Sequence, residues 1–461
     1  MRAPARVDRT TARRRPLAAL VPLLLWLAVA GAVVLPFMHS FTKLSPIDEF
    51  QHVDYLVKTQ QLEHVNGGER VGQMAMREQA CRGIDLKGAV LPPCGRRHYD
   101  PNEFLGAGFN HTYSDPPVYY LVTAPLASVV QTVTGVDSVV TAARSVGVLW
   151  LGAGLAATFT LALRLGATRR AAAGATLLIA TTPAVVLASG TVTTDAPQLL
   201  AGALLCLVAL AVVEGRAAWW WLAPIAFVAT SVKVTSLTAI GAVAVLLVAS
   251  WWARRREGAG NEPPPEAGSG EHAAAPGPRH ELRGLFAMMA GALVPLVGWA
   301  AYSSATALTS VDDIPMGQEF KTSHLTWAAL SDSIPKMVSP VRGPYAPQFV
   351  LGDTVTLVLA LTNLLLAVGC VAVAWYGSQR PVAARLALGT AAAMVLSAPA
   401  YLVILFTTLQ VSYWIPGRYG LSLVPAAAAL LAVAASRRSA GGTALLVLGG
   451  LSAVALLAQT L

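Results

Sequence analysis

The stretch RRRPLAALVPLLLWLAVAGAVVLPFMHSFTKLSPIDEFQHVDY, residues 13–55, joins a basic flank to an apolar run and the run to an acidic pair. Leu17 to Met38 is long enough to cross a bilayer as a helix. Arg2, Arg6, Arg9 and Arg13 to Arg15 precede it, as they would a signal peptide. The run is too long for one and lacks a clear small-residue cleavage site, so it reads as a retained anchor with a cytoplasmic N-terminus. Asp48-Glu49 then lies just outside the far end of that anchor, where an acidic pair is costly unless something uses it. Ser45-Pro46 reads as a helix start, Ser as N-cap and Pro at the first helical position. From there Phe50, Val53 and Val57 share one helical face. Asp48, His52, Tyr55 and Thr59 share another, the pattern of an amphipathic helix on the outer membrane surface with its polar stripe turned into a cavity.

Further along the chain the same apolar signal recurs. Of 461 residues, 55% are hydrophobic and only 12% charged, against roughly twice that charged fraction in soluble proteins. The expected fold is an all-α polytopic membrane protein with eleven spans, near 17–38, 139–163, 171–189, 196–213, 217–232, 235–253, 284–303, 351–376, 385–408, 419–435 and 443–460. Segment 116–134 is apolar but, if it crossed, would turn Arg164, Arg169 and Arg170 outward. Lying at or re-entering the outer interface, it leaves those arginines, Arg254 to Arg256, Arg380, Arg385, Arg437 and Arg438 all cytoplasmic. The net charge of +9 therefore sets orientation and does not indicate nucleic-acid binding.

The domain reading follows. Residues 1–16 form a basic cytoplasmic N-terminus and 17–253 an N-terminal module with external loop 39–135. Residues 254–283 are a flexible cytoplasmic linker, Pro-, Gly- and Glu-rich through 257–280, and 284–461 a C-terminal module with external loop 304–350. No internal repeat and no broken-helix pair is evident, which weighs against an inverted-repeat transporter. Cys81 and Cys94 fall in the first external loop, where a disulfide is permitted. Cys206 and Cys370 fall inside spans as packing residues.

Beyond the acidic pair, several charges sit at span ends. Asp195 lies in Thr193-Thr194-Asp195-Ala196-Pro197, where it is a site residue or an ordinary N-cap. Lys233 stands between two spans, at an insertion cost of about 2.5–3.5 kcal/mol unless partnered or snorkelling. Arg418, in Pro416-Gly417-Arg418-Tyr419-Gly420, suits a bidentate hold on phosphate or an interfacial anchor beside Tyr413, Trp414 and Tyr419. The topology puts Asp48, Glu49, Asp195, Lys233 and Arg418 at one outer face, fitting a substrate with an anionic head and a lipid tail. Asp100, Glu103, Asp115, Asp312, Asp313 and Arg342 lie outside too, unranked. Asn110-His111-Thr112 matches a glycosylation acceptor.

The order of SDPPVYYLVTAPL at 114–126, AARSVGVLWLGAG, RLGATRR, TVTTDAPQ, TSVKVTS and PGRYGLSLVP after the acidic pair resembles the C-type (GT-C) superfamily of membrane glycosyltransferases. These enzymes use polyprenyl-phosphate-linked sugars. The resemblance implies an outer-leaflet cavity with Asp48, or secondarily Glu49, as general base. Asp195 would be a second acidic site shaping the donor pocket, and Lys233, Arg418 and Tyr419 would hold the donor phosphate. His52, Tyr55 and Arg342 complete the expected pocket. It also implies an envelope glycan, lipid or protein as acceptor, and sugar transfer at the outer face of the cytoplasmic membrane. No large C-terminal domain follows the last span, so acceptor recognition is expected from 39–135 and 304–350. No nucleotide fingerprint is present, as an already activated donor requires. No cofactor is demanded, and a divalent metal is open, with Asp48, His52 and Asp195 as ligand candidates. A transporter or lipid flippase, and a non-catalytic envelope-assembly protein, are the alternative readings.

Overall fold

The computed structural model describes residues 9–259, 279–309, 320–339 and 353–460. Its regular elements are helices, with only isolated bridges besides them among the described residues. Seven helices are long and apolar enough to cross a membrane: Val21–Ser40, Val139–Arg164, Val234–Glu257, Arg279–Ala305, Pro381–Leu409, Gly417–Ala435 and Ser439–Gln459. A bent pair, Arg169–Ala180 with Pro183–Gly190, counts as an eighth if it is one span. Four shorter apolar helices are Val118–Thr134, Gln198–Val213, Trp219–Val232 and Leu361–Tyr376. The protein is thus an all-α multi-pass membrane protein. The seven, the bent pair and three of the shorter helices fall on the expected spans.

We number the helices α1 (Arg9–Ser40), α2 (Glu49–Gln60), α3 (Gln73–Arg82), α4 (Val118–Thr134), α5 (Val139–Arg164), α6 (Arg169–Ala180), α7 (Pro183–Gly190), α8 (Gln198–Val213), α9 (Leu222–Val232), α10 (Leu237–Ala259) and α11 (Arg279–Ala305). The C-terminal helices are cited by their residues. One core buries apolar residues of α1, α5 to α10, Pro381–Leu409 and Val424–Ala435. A second lies over the first loop, where α2, α3 and α4 pack on the start of α5 through Phe50, Val53, Leu56, Met76, Tyr120 and Val140.

Two breaks depart from the sequence expectation. The run 171–189 is not one straight helix: α6 and α7 meet at 66°. The cause is local. Pro183 opens α7, and the residue before a proline is pushed out of the helical region; Thr182 is extended at ψ 143°. The hydroxyls of Thr181 and Thr182 donate to the carbonyls of Leu178 (3.1 Å) and Ile179 (2.8 Å) freed by the break. The second break is at Lys233, extended at φ −162° between α9 and a 3-10 turn, Val234–Ser236. The absence of broken helices expected from the sequence is therefore overturned.

The first loop also differs from its expected form. Helix α2 starts at Glu49, not after Ser45, and ten of its twelve residues are buried. It is an internal helix of the loop core, not one lying on a membrane surface. Its polar residues are paid into a network: Lys58 Nζ meets Asp54 (2.7 Å) and Glu69 (2.6 Å), and Asp54 accepts from Gly72 N and Asn110 Nδ2, both at 2.8 Å. Asn110 is 1% exposed, so the glycosylation match is buried structure. Cys81 and Cys94 are paired in a disulfide. The first loop meets the end of α11 and the residues after it, since Leu308 N donates to Gly67 O (2.7 Å) and Tyr302 Oη lies 2.9 Å from His64 Nε2. The linker core, residues 260–278, and much of 304–350 lie outside the described residues.

Candidate active site

Four segments distant in sequence bring charges to one place. Asp48 ends the turn before α2 in the left-handed region, φ 57° and ψ 5°, a strained setting for a residue other than glycine. It makes no side-chain cap bond to α2. Its Oδ2 lies 3.5 Å from Arg418 Nη2. Asp195 lies in the buried turn between α7 and α8. The cap position of α8 is Pro197, so Asp195 is not an N-cap. Instead its Oδ1 is 2.7 Å from Lys233 Nζ and its Oδ2 is 3.1 Å from Arg418 Nε. Lys233 reaches it because the α9 break turns the backbone out of the helix. Arg418 rides on the 3-10 turn Gly417–Leu423, which is seated on α8 at Gly202: a Cβ there would collide with the Ser422 carbonyl. Ser422 Oγ and Thr238 Oγ1 share a 2.7 Å hydrogen bond that ties this turn to α10. Tyr419 presents its ring to both cations, 5.8 Å from Lys233 Nζ and 5.5 Å from the Arg418 guanidinium.

Glu49, expected as a second candidate base, is placed otherwise. It is fully buried, and its carboxylate accepts from Arg144 Nε (2.8 Å) and Nη2 (2.7 Å), Ser45 N (2.7 Å) and Val192 N (2.9 Å). Arg144, on α5, donates also to the carbonyls of Phe41 (2.6 Å) and Lys43 (2.7 Å). The pair therefore ties the turn that holds Asp48 to the turn that holds Asp195. The sequence reading missed Arg144, although an arginine inside an apolar span is itself a signal of a partnered function.

His52 does not pair with Asp48. Its Nδ1 lies 2.6 Å from Tyr120 Oη, and burial, then Lys233 and Arg418, push its pKa well below 6.5. Tyr55 is buried and stacked on Tyr120 at 4.0 Å, its acidity weakened by burial. Asp115, half-buried just before α4, accepts a 3.2 Å hydrogen bond from Thr194 Oγ1. Burial raises it to about 6, helped by Asp195 and Asp48 and opposed by Lys233 and the Thr194 bond. Asp48, His52 and Asp195 do not assemble as metal ligands: they face Arg418, Tyr120 and Lys233, and no group of three such side chains suited to a metal occurs among the described residues. Arg342 lies outside the described residues.

An apolar cleft of about 280 Å³ is lined by Val234 and Tyr419, the residues that follow Lys233 and Arg418 in the chain. Val234, Leu237 and Gly241 line one wall and Leu396, Ala400 and Ile404 the other. At the opposite end of the bundle the basic residues collect. Arg380 Nη1 donates to Gly166 O (2.7 Å), Arg254 pairs with buried Glu281 (2.7 Å), and Thr168 N donates to Ser436 Oγ (2.8 Å).

No family model matches the chain, and no curated protein matches it. Solved structures do. One is ArnT from Cupriavidus metallidurans in the apo state, at TM-score 0.44 and 18% identity over 92% of this chain and 61% of that one. Another is ArnT from the same organism bound to undecaprenyl phosphate, at TM-score 0.44 and 17% identity over 91% and 60%. The chain spans about three fifths of the length of these structures. In its own helices the chain is an all-α multi-pass membrane protein, and in chain path it is similar to ArnT.

Proposed function

We propose that the protein is a membrane glycosyltransferase of the C-type superfamily. It moves a sugar from a polyprenyl-phosphate donor to a glycan, lipid or protein acceptor of the cell envelope, at the outer face of the cytoplasmic membrane. One observation carries the reading. Lys233 and Arg418, from different parts of the chain, grip the buried Asp195, and the residues next to them, Val234 and Tyr419, line an apolar cleft. An ammonium beside a guanidinium is the pairing that suits the oxygens of a phosphate. The cleft walls, without charge, suit the isoprenoid tail. The proposed orientation follows from the basic end of the bundle, which the positive-inside tendency assigns to the cytoplasm. One of the similar ArnT structures is bound to undecaprenyl phosphate, a lipid of this class, but the proposal stands on the site.

The chemistry is a single displacement. A carboxylate of the site, Asp48 in the sequence expectation, takes the proton of the acceptor hydroxyl as its oxygen attacks the anomeric carbon. The bond to the phosphate breaks, and Lys233 and Arg418 stabilise the departing charge. The experiment is binding of undecaprenyl phosphate to the full chain in nanodiscs. Wild type should bind, and Lys233→Met and Arg418→Met should each weaken binding at least tenfold. Equal binding by all three would refute the reading.

The break between α6 and α7 favours a second reading, a lipid flippase, because discontinuous helices mark alternating-access sites. Cysteines placed beside Lys233 and labelled from each side discriminate: access from one side only supports the transferase.

A further inference from the structure

We infer that Asp115, and not Asp48, is the general base that deprotonates the acceptor hydroxyl. The inference rests on the proposed sugar transfer and assigns its proton acceptor. Among the described residues three aspartates reach the site, and their partners differ. Asp195 is shared between Lys233 (2.7 Å) and Arg418 (3.1 Å), and its side chain is 4% exposed. Both Asp195 oxygens are thus committed to the two cations, so the residue positions Lys233 and Arg418. Asp48 is turned to the same guanidinium, with Oδ2 3.5 Å from Arg418 Nη2. Asp115 forms no ion pair among the described residues. Its one side-chain hydrogen bond among the described residues is from Thr194 Oγ1 to Oδ2 at 3.2 Å. Thr194 neighbours Asp195, so this bond joins the Asp115 carboxylate to the turn that carries the phosphate-holding cluster.

Asp115 is also close enough to that cluster to feel it. The charges that face it are Lys233, Asp195 and Asp48, and it in turn bears on the hydroxyls of Tyr55 and Tyr120. Desolvation places it near 6, where a base is mostly ionised at neutral pH and still accepts a proton readily. The step balances. The acceptor oxygen forms a bond to the anomeric carbon, and its proton passes to Asp115. The bond from the anomeric carbon to the phosphate oxygen breaks, and polyprenyl phosphate leaves with the electron pair beside Lys233 and Arg418. Asp115 then returns its proton to solvent.

The test uses the full chain in nanodiscs. Donors are decaprenyl phosphates of mannose and of arabinofuranose, and the acceptor is an octyl glycoside. Undecaprenyl phosphate binding is measured in parallel. Asp115→Asn should bind undecaprenyl phosphate at least as tightly as wild type, because a negative charge near the phosphate has gone. Its kcat should fall at least a hundredfold. The wild-type rate should drop about tenfold per pH unit below about 6. Asp48→Asn should be slower but keep that acid limb, Asp115→Asn should lose it, and Asp115→Glu should restore part of kcat. An Asp115→Asn enzyme with wild-type kcat and an intact acid limb overturns the assignment while leaving the transferase reading standing. An Asp115→Asn variant that loses undecaprenyl phosphate binding also overturns it, since the residue would then be holding the pocket. A wild-type chain that neither binds undecaprenyl phosphate nor transfers either sugar overturns the transferase reading itself.

Discussion

Replacing Arg144 with Met should destabilise the protein more than any other single change near the site. The guanidinium is 2% exposed and Glu49 is 0% exposed. Two charge-assisted hydrogen bonds join them, at 2.8 and 2.7 Å, and two more run from Arg144 to backbone carbonyls. Methionine fills most of the volume but leaves Glu49 ionised in the interior with only the amides of Ser45 and Val192. Removing one partner of a buried pair costs about 3–5 kcal/mol, chiefly the penalty of the stranded charge. Glu49→Gln should fall in the same range, for the converse reason. Replacing both, Glu49→Leu with Arg144→Met, should cost less than the sum of the singles, because no charge is stranded. The assay is titration with SDS in mixed micelles, followed by tryptophan fluorescence and closed as a double-mutant cycle. A second readout is undecaprenyl phosphate binding, which should weaken in the single variants because Glu49 is no longer fastened to α5 and the two turns it joins loosen. A coupling energy near zero, or an Arg144→Met protein as stable as wild type, would refute the idea that this pair fastens the two acidic turns together.

Other outcomes follow from the same structure. Acidification should destabilise the fold through His52: its folded pKa lies below 6.5, so the unfolded chain binds the proton first and stability falls by up to about 1.4 kcal/mol per pH unit below 6.5. His52→Gln should flatten that part of a stability–pH curve, and an unchanged slope would count against a buried neutral imidazole. Reducing the Cys81–Cys94 disulfide, with a sequence separation of 13, should cost about 3 kcal/mol in the first loop, read as faster proteolysis between Cys81 and Tyr99. Gly202→Ala should cost about 1–3 kcal/mol and weaken undecaprenyl phosphate binding, since the new methyl displaces the turn that carries Arg418. Normal binding by a folded Gly202→Ala protein would show that the seat of that turn is not critical.

The amino-acid sequence by itself determined the class of fold. Runs of apolar residues near twenty long leave a backbone little choice in lipid but to form helices, because each amide must find its partner within the segment. It also marked Asp48, Asp195, Lys233 and Arg418, because charge at the edge of an apolar run is costly and therefore conspicuous. What those charges do to one another was decided only by tertiary structure. The resemblance made Glu49 a secondary candidate base beside Asp48, but a helix start one turn later buries Glu49 against Arg144, 95 residues away. Local spacing put His52 on one polar face with Asp48, while packing of α2 on α4 gave it Tyr120 as its partner. Asp115 had no distinguishing local signal, since its raised pKa comes from burial and from residues of other segments. Proline in the run 171–189 signals a break, but the 66° angle between α6 and α7 depends on what the broken ends pack against. Secondary structure in a bilayer is set by each segment's own backbone, whereas ionisation is set by whichever charges the folded chain brings within a few ångströms.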